Sequence, residues 1–390
     1  MAFDRAFFDA GIDRNGTQSV KWCAPGVCLT GMIPLWVADM DFAASPAITD
    51  ALVNRARHAN YGYTLIEDED MAAVCAYWQR RHGVRLSTDE VGLLPSVVSG
   101  LRVCVSQLTR PGEGVIVQPP VYGPFFNAIR DSGRVVLEAQ LQCDAQGRYT
   151  MDLAAVEEHL RQGARLMLLC NPHNPVSRAW HEEELARLID LLGRYGCALV
   201  SDEIHADFVY SPRSFVSALT LSRPGMRVIG LAAASKTFNV AGLQQASIFC
   251  RDRELMQAIS RQLHANGVEA GNLFALVATR AAYTKCDDWL EGMLAYLDTN
   301  RQVLREELGR LLPDAVLSPI EATYLAWVDL RAYQLSNADV YDRCRQALVV
   351  PSDGSIFGKT SGEGFMRLNF GCPQTQLELG IERFAKALKG

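Results

Sequence analysis

The chain has 390 residues, 49 % of them hydrophobic and 21 % charged, with a formal net charge of −6. A length of this order gives two or three domains and a sizeable buried core. The 30 glycines and 16 prolines form no repeat, which excludes collagen, coiled coil and low-complexity disorder, and the acidic balance disfavours non-specific binding to nucleic acid or an anionic membrane.

Residues 1–45 read as irregular, with an apolar stretch at 33–38 followed by Asp39-Met40-Asp41-Phe42. The start of the chain lacks a signal-peptide core, and no run reaches about 18 apolar residues, so the expectation is a cytoplasmic protein without a membrane span. Ser45-Pro46 places a cap before a proline at the first helical position, predicting a helix from 46 to about 59. A loop over 60–64 and a helix over 69–81 follow. From about residue 90, apolar runs at 115–118, 134–138, 165–170, 198–201, 227–231 and 246–250 read as strands. Helical patterns at 99–108, 122–131, 151–161 and 181–195 lie between them. This rhythm predicts an α/β fold with a mostly parallel sheet, whose strands are continuously apolar because both faces are covered. A long helix over 287–312 ends at Pro313. Strands at 324–329 and 365–370 and helices at 336–347 and 375–388 complete a smaller α/β unit. The expected division is a segment 1–45 packing on a small domain 286–390, with a large domain at 46–285.

The 11 cysteines are scattered and include no CxxC pair. Cys23 and Cys28 are the nearest neighbours, and no histidine stands at zinc-finger spacing, so buried free thiols in a reducing compartment are expected. Six lysines stand against 32 arginines. Lys21, Lys285, Lys359, Lys386 and Lys389 lie in polar surroundings. Lys236 instead follows the apolar run Val228-Ile229-Gly230-Leu231-Ala232-Ala233-Ala234-Ser235. An amine held against apolar residues at a strand's carboxyl end has a depressed pKa and serves as a nucleophile or Schiff-base partner, unless it snorkels to the surface. Asp202 ends another apolar strand, where an acid either caps a helix or faces the ligand crevice of an open sheet. Pyridoxal phosphate needs such a pair, an acid on its ring nitrogen and a lysine on its aldehyde.

Leu94-Pro95-Ser96-Val97-Val98-Ser99-Gly100 precedes a helix, whose first N–H groups suit an anion. There is no GxxxxGK or GxGxxG motif, which lowers nucleotide readings. Cys170-Asn171-Pro172-His173-Asn174-Pro175 is a stiff turn that holds Asn174. His173 has no companion at ligand spacing, so no metal is expected. Tyr122 either stacks on a ring or plugs a crevice. Arg367, inside an apolar strand, is either ion-paired structurally or awaits an anionic ligand.

Taken together, Val37-Ala38-Asp39-Met40-Asp41-Phe42, Tyr61-Gly62-Tyr63, Asn171 to Pro175, Ser201-Asp202-Glu203-Ile204-His205-Ala206-Asp207, Ser235-Lys236-Thr237-Phe238-Asn239 and Arg367-Leu368-Asn369 resemble the fold-type I pyridoxal-phosphate enzymes, the aspartate aminotransferase superfamily. Within it, the chain resembles the MalY/PatB branch of cystathionine β-lyases and cysteine-conjugate C–S lyases. The resemblance implies that Lys236 carries the cofactor and moves protons, that Asp202 keeps the ring nitrogen protonated, and that Asn174 and His205 lie at its phenolic oxygen. It further implies Tyr122 on the ring, Val97, Val98 and Ser235 at the phosphate, and Arg367, with Asn174 and Asp39, on the amino-acid substrate. Tyr63 would reach the phosphate of a second copy in a homodimer with shared active sites. The implied activity is β-elimination from L-cystathionine or another L-cysteine conjugate. The alternatives are an aminotransferase, another elimination, replacement or racemisation on a specialised amino acid, or a role beside catalysis with a regulatory protein partner. Four positions depart from the common pattern. Val176-Ser177 replaces Thr-Gly, which is expected to change a turn, and Ala233 and Gln244 stand where serine and arginine are frequent, which is expected to loosen the phosphate's hold.

Overall fold

The apolar runs in the middle of the chain assemble into a seven-stranded sheet, in a computed structural model that describes residues 3–27, 29, 31–223, 225–268 and 271–389. Across the sheet the strands are Val91–Leu94, Ala246–Cys250, Val228–Ala232, Ala198–Asp202, Leu166–Cys170, Gly114–Val117 and Val135–Glu138. Ala246–Cys250 runs antiparallel to both neighbours, and the other six share one direction. The α/β fold with a mostly parallel sheet read from the sequence is therefore the fold observed. The edge strand Val91–Leu94 was not anticipated. It has four residues with a glycine second, too short and too interrupted to stand out as an apolar run.

Both faces of the sheet are covered, which explains strands buried at every position. Successive side chains of one strand enter opposite cores. Leu166 and Leu168 pack in the core that holds Leu101 and Cys104 of helix Val97–Leu108. Met167 and Leu169 pack in the core that holds Leu185 and Leu188 of helix Glu182–Arg194. The first of these helices lies so close to the sheet that a Cβ at Gly100 would sit 2.8 Å from both Leu231 and Leu94. That approach leaves room only for glycine and brings the helix's amino end to the sheet's carboxyl edge.

After helix Asp287–Leu311, the carboxyl-terminal part forms a four-stranded antiparallel sheet ordered Val316–Leu317, Leu325–Asp329, Phe365–Asn369 and Ser352–Asp353. The amino-terminal segment reaches this part, where Ile33–Pro34 pairs in parallel with Val349–Val350. Lys21 corrects one expectation, because it is fully buried rather than set in polar surroundings. Its ammonium donates to Asp41 at 2.9 Å and to the Asp39 carbonyl at 3.0 Å. Lone sequence context missed it because the partners stand 18 and 20 residues further along. Cys28 lies outside the described residues. The other ten cysteines are free, and no helix among the described residues is long and apolar enough to cross a membrane.

One buried ion cluster ties the two sheets together. Glu321 accepts from Arg148 at 2.6 Å, from Arg178, and from the Ala179 N–H at 3.3 Å, with Arg213 3.2 Å away. The N–H groups of Glu321 and Ala322 both donate to the Ser177 carbonyl. Removing the carboxylate leaves the buried Arg178 with Glu184, which accepts from it at 2.6 Å through both oxygens, but takes the shared acceptor from Arg148 and Arg213, so Glu321→Ala is expected to cost about 2 kcal/mol. Thermal unfolding checks this: the melting temperature drops by several degrees, and an unchanged value would contradict the role of the cluster.

Candidate active site

The carboxyl ends of Leu166–Cys170, Ala198–Asp202 and Val228–Ala232 open onto a cavity of about 940 Å³, closed on the far side by the small sheet's Arg367. Ligands of open α/β sheets bind at this edge. Val97, Val98, Tyr122, Asn174, Asp202, His205, Ser235, Lys236 and Arg367 all line it. A larger groove of about 1170 Å³ lies at the opposite, amino-terminal ends of the strands, beside Arg165, Ala198 and Arg227, and contains none of them.

Lys236 sits on the single turn Ala234–Thr237 that follows strand Val228–Ala232. Two neighbours hold that turn. Thr237 donates to Asp207 at 2.7 Å, and Asn239 donates to the carbonyls of Met40 and Phe42 and accepts from the Met40 N–H. The Lys236 amine donates to the Ala38 carbonyl at 2.7 Å. It keeps some surface toward the cavity and is enclosed by protein elsewhere. That desolvation lowers its pKa, and the Arg367 charge lowers it further, against the opposing pull of Asp39 and Asp202. The shift is toward the neutral amine, the form that acts as base or nucleophile.

Asp202 is the last residue of its strand and is buried. One oxygen accepts from the Ile204 N–H at 3.1 Å. Burial pushes its carboxyl up to about 7, with Glu203 adding to the rise and Lys236 opposing it. Such a carboxyl is poised to ionise once a cation is placed against it. His205 is buried with no partner on its Nδ1. Burial and the charges of Lys236 and Arg367 push its pKa down to about 3, so the ring is neutral. Burial raises the pKa of Tyr122, with Asp202 adding to the rise, so its phenol keeps its proton.

Arg367 has neutral partners in the fold. It is buried, and no carboxylate pairs with it among the described residues. Its guanidinium donates to Asn174 at 3.1 Å, to Ser352 at 3.1 Å and to the Trp36 carbonyl, and lies over the Phe357 ring at 4.7 Å. Its Nε has no partner. Burial lowers its pKa to about 10, which still leaves it charged at neutral pH. A buried cation surrounded by neutral acceptors is a site for an anion.

Val97 and Val98 form the first turn of helix Val97–Leu108, capped by Ser96, which accepts from the Ser99 N–H at 3.1 Å. Free N–H groups and the helix dipole favour an anion there. Ala233 and Gln244 line the same cavity. In the departing turn, Ser177 takes the left-handed conformation that glycine favours, with φ +57°. Its hydroxyl bonds Thr323 at 3.1 Å and the Leu325 carbonyl.

Two of the residues singled out in the sequence lie outside the cavity. Tyr63 is fully exposed beside Arg55 and Arg280. Asp39 forms a two-point pair with Arg14 at 2.8 and 3.0 Å, and what its segment brings to the site is the Ala38 carbonyl. Sequence reasoning missed Trp36, Ser352 and Phe357, the surroundings of Arg367, and the strapping roles of Asn239 and Asn369. Asn369 donates to the carbonyls of Val37 and Asp39. Its place two residues after Arg367, on the same strand face, was a usable signal.

The residues present fit pyridoxal phosphate. There is an amine for the aldehyde, and a buried carboxyl without a cation for the ring nitrogen. An uncommitted helix start suits the phosphate, and the buried His205 Nδ1 and Arg367 Nε are unpartnered.

Known proteins agree with this arrangement. The family model for aminotransferase class I and II matches residues 30–384. Cystathionine β-lyase PatB of Bacillus subtilis is 39 % identical over 386 residues, 98 % of this chain and 99 % of that protein. Protein MalY of Escherichia coli is 30 % identical over 388 residues, 98 % of each chain. The crystal structure of the PLP-bound C–S lyase from Staphylococcus hominis superposes with a TM-score of 0.90 at 30 % identity, covering 98 % of both chains. The chain therefore belongs to the aminotransferase class I and II family, in the branch that holds the PatB and MalY proteins.

Proposed function

We propose that the chain is a pyridoxal-phosphate-dependent C–S β-lyase that converts L-cystathionine, or a related S-conjugate of L-cysteine, into a thiol, pyruvate and ammonia. The observation that carries this reading is the Lys236 amine, desolvated and set in one cavity with Asp202 and Arg367, in a full-length relative of cystathionine β-lyase. The cofactor, when bound, supplies an electron sink joined to the substrate's α-carbon. Arg367 holds the α-carboxylate and so aims the α-proton at Lys236. The Lys236 amine takes that proton. Asp202 would hold the ring nitrogen and, as a carboxylate, keep it protonated. Tyr122 would hold the ring, Asn174 and His205 its oxygen, and Val97, Val98 and Ser235 the phosphate. Overall the Cα–H and Cβ–S bonds break, the sulfur leaves as a thiol, and water releases the nitrogen as ammonia and leaves pyruvate.

The reading extends to a homodimer in the cytoplasm, with Tyr63 reaching the phosphate held by a second copy. Its support is an exposed apolar loop, in which Tyr61, Tyr63 and Leu65 are 60 %, 110 % and 85 % exposed, and ten free cysteines. The division into 1–45, 46–285 and 286–390 is part of the same proposal and sets the cavity between the large sheet and the small one.

The reaction is tested by following thiol and pyruvate from L-cystathionine with and without a 2-oxo acid. Elimination needs no acceptor. A new amino acid that forms only with the acceptor, without thiol release, would make the protein an aminotransferase instead. Arg367→Lys checks the carboxylate clamp. Loss of a two-point charged contact worth about 3 kcal/mol should lower kcat/KM by about 100-fold, with the melting temperature nearly unchanged. Normal kinetics in a protein of lower melting temperature would make Arg367 structural.

A further inference from the structure

The mouth of the cavity carries charges that the elimination itself does not use. With the α-carboxylate on the buried Arg367 and the α-proton facing Lys236, the substrate's sulfur substituent is left the part of the cavity lined by Tyr122 and its neighbours. The outer wall there is built from helix Pro124–Arg130 and the loop that runs from Ser355 to Lys359. These two pieces are fixed to each other. The Val121 N–H donates to the Phe357 carbonyl at 2.7 Å, and a Cβ at Gly123 would sit 2.9 Å from the Ile356 carbonyl. Phe126 and Ile356 give this wall an apolar stretch, and beyond it Arg130 and Lys359 stand exposed on the same cavity.

Neither cation has a carboxylate partner among the described residues. The Arg130 guanidinium lies over the Phe126 ring at 5.3 Å, which holds it at the rim. The cavity has two acidic lining residues, the buried Asp202 and the exposed Glu138. Glu138 therefore offsets one of the two rim cations and leaves the rim net positive. An apolar span ending in unpaired cations matches a leaving thiol that has a short methylene chain and a terminal anion.

We propose that Arg130 and Lys359 form a distal subsite that selects cysteine S-conjugates whose leaving thiol bears a carboxylate. This selectivity rests on the lyase reading above, and it adds the part of the substrate that the catalytic residues never touch. Because both cations face water, the subsite acts through screened charge.

The test compares S-(3-carboxypropyl)-L-cysteine with S-butyl-L-cysteine, which share chain length and differ in the terminal charge. The wild-type protein is expected to favour the carboxylate in kcat/KM by about tenfold at low salt, and raising the ionic strength to about 0.5 M should erase most of the preference. In the Arg130→Ala/Lys359→Ala double variant the ratio should fall to near 1. In Arg130→Glu/Lys359→Glu it should invert, a result that loss of folding cannot imitate because both substrates are read on one preparation. Elimination from both substrates with no preference, or with a preference that survives these variants and salt, overturns the subsite and leaves the lyase reading standing. Elimination from neither substrate, nor from L-cystathionine, overturns the lyase reading itself.

Discussion

Replacing Lys236 by alanine should reduce thiol release from L-cystathionine by about 10⁴-fold or more while leaving the fold intact. A general base in the right place contributes about 10² to 10⁴, and Lys236 is also the proposed covalent anchor of the cofactor, so two functions vanish together. No other side chain in the cavity replaces it. His205 is neutral but so poor a base, with its pKa near 3, that it does not hold a proton at neutral pH. Tyr122 and Arg367 keep theirs, and Lys359 stands at the rim. The hydrogen bond of the Lys236 amine to the Ala38 carbonyl, its one bond among the described residues, is lost at small structural cost. The check is kcat for thiol release, with the melting temperature measured alongside. Methylamine should restore part of the rate because it supplies a free amine to the vacated space. Near-native turnover in the variant would remove Lys236 from catalysis.

Asp202→Asn should have opposite effects on activity and on the stability of the cofactor-free protein. An amide cannot keep a ring nitrogen protonated, so α-proton exchange on L-alanine in D₂O, an amino acid with no leaving group, should slow by about 10³-fold in the loaded variant. For the cofactor-free protein the sign runs the other way. The folded-state carboxyl titrates near 7, raised from the ordinary 3.8 by burial. Below about pH 4 the group is protonated whether the chain is folded or not, and it carries no penalty. As pH rises from 4 to 7 the unfolded chain releases its proton before the folded one does, and stability falls. At pH 8 the full cost, on the order of 4 kcal/mol, weighs on the wild type and not on the asparagine variant. The cofactor-free variant should therefore melt higher than the wild type at pH 8, with the gap closing toward pH 4. A gap that is constant with pH, or a loaded variant that exchanges the α-proton at the normal rate, would contradict the role given to Asp202.

How much of this was legible in the sequence differs by element for physical reasons. The strands ending at Cys170, Asp202 and Ala232 stand out because they are buried on both faces, and burial writes itself as an unbroken apolar run. Lys236 and Asp202 stand out as polar groups at the ends of such runs, and Arg367 as a charge inside one. Val91–Leu94 is an edge strand of four residues with a glycine, and helices Arg253–Ala265 and Leu273–Lys285 escaped notice. The second of them is alanine-rich with an almost all-round apolar surface, so its helical period is weak. The contacts of Arg367 were beyond reach, since Trp36, Asn174 and Ser352 converge from three remote segments and two of the acceptors are a backbone carbonyl and a hydroxyl. The buried pair of Lys21 with Asp41 was hidden for the same reason. A lysine next to polar residues looks exposed until the fold wraps its partner around it.

The proposed chemistry turns on one amine, and a reductive trap tests it directly. Borohydride reduction of the cofactor-loaded protein, followed by peptide mapping, fixes the cofactor to whichever of the six lysines holds it. Lys21 is a fair competitor because it too is buried, although Asp41 already engages its ammonium. Lys359 is another because it lines the same cavity. The expected result is a single adduct on Lys236. An adduct on Lys21, on Lys359 or on any other lysine, or no adduct in fully loaded protein, would contradict the account.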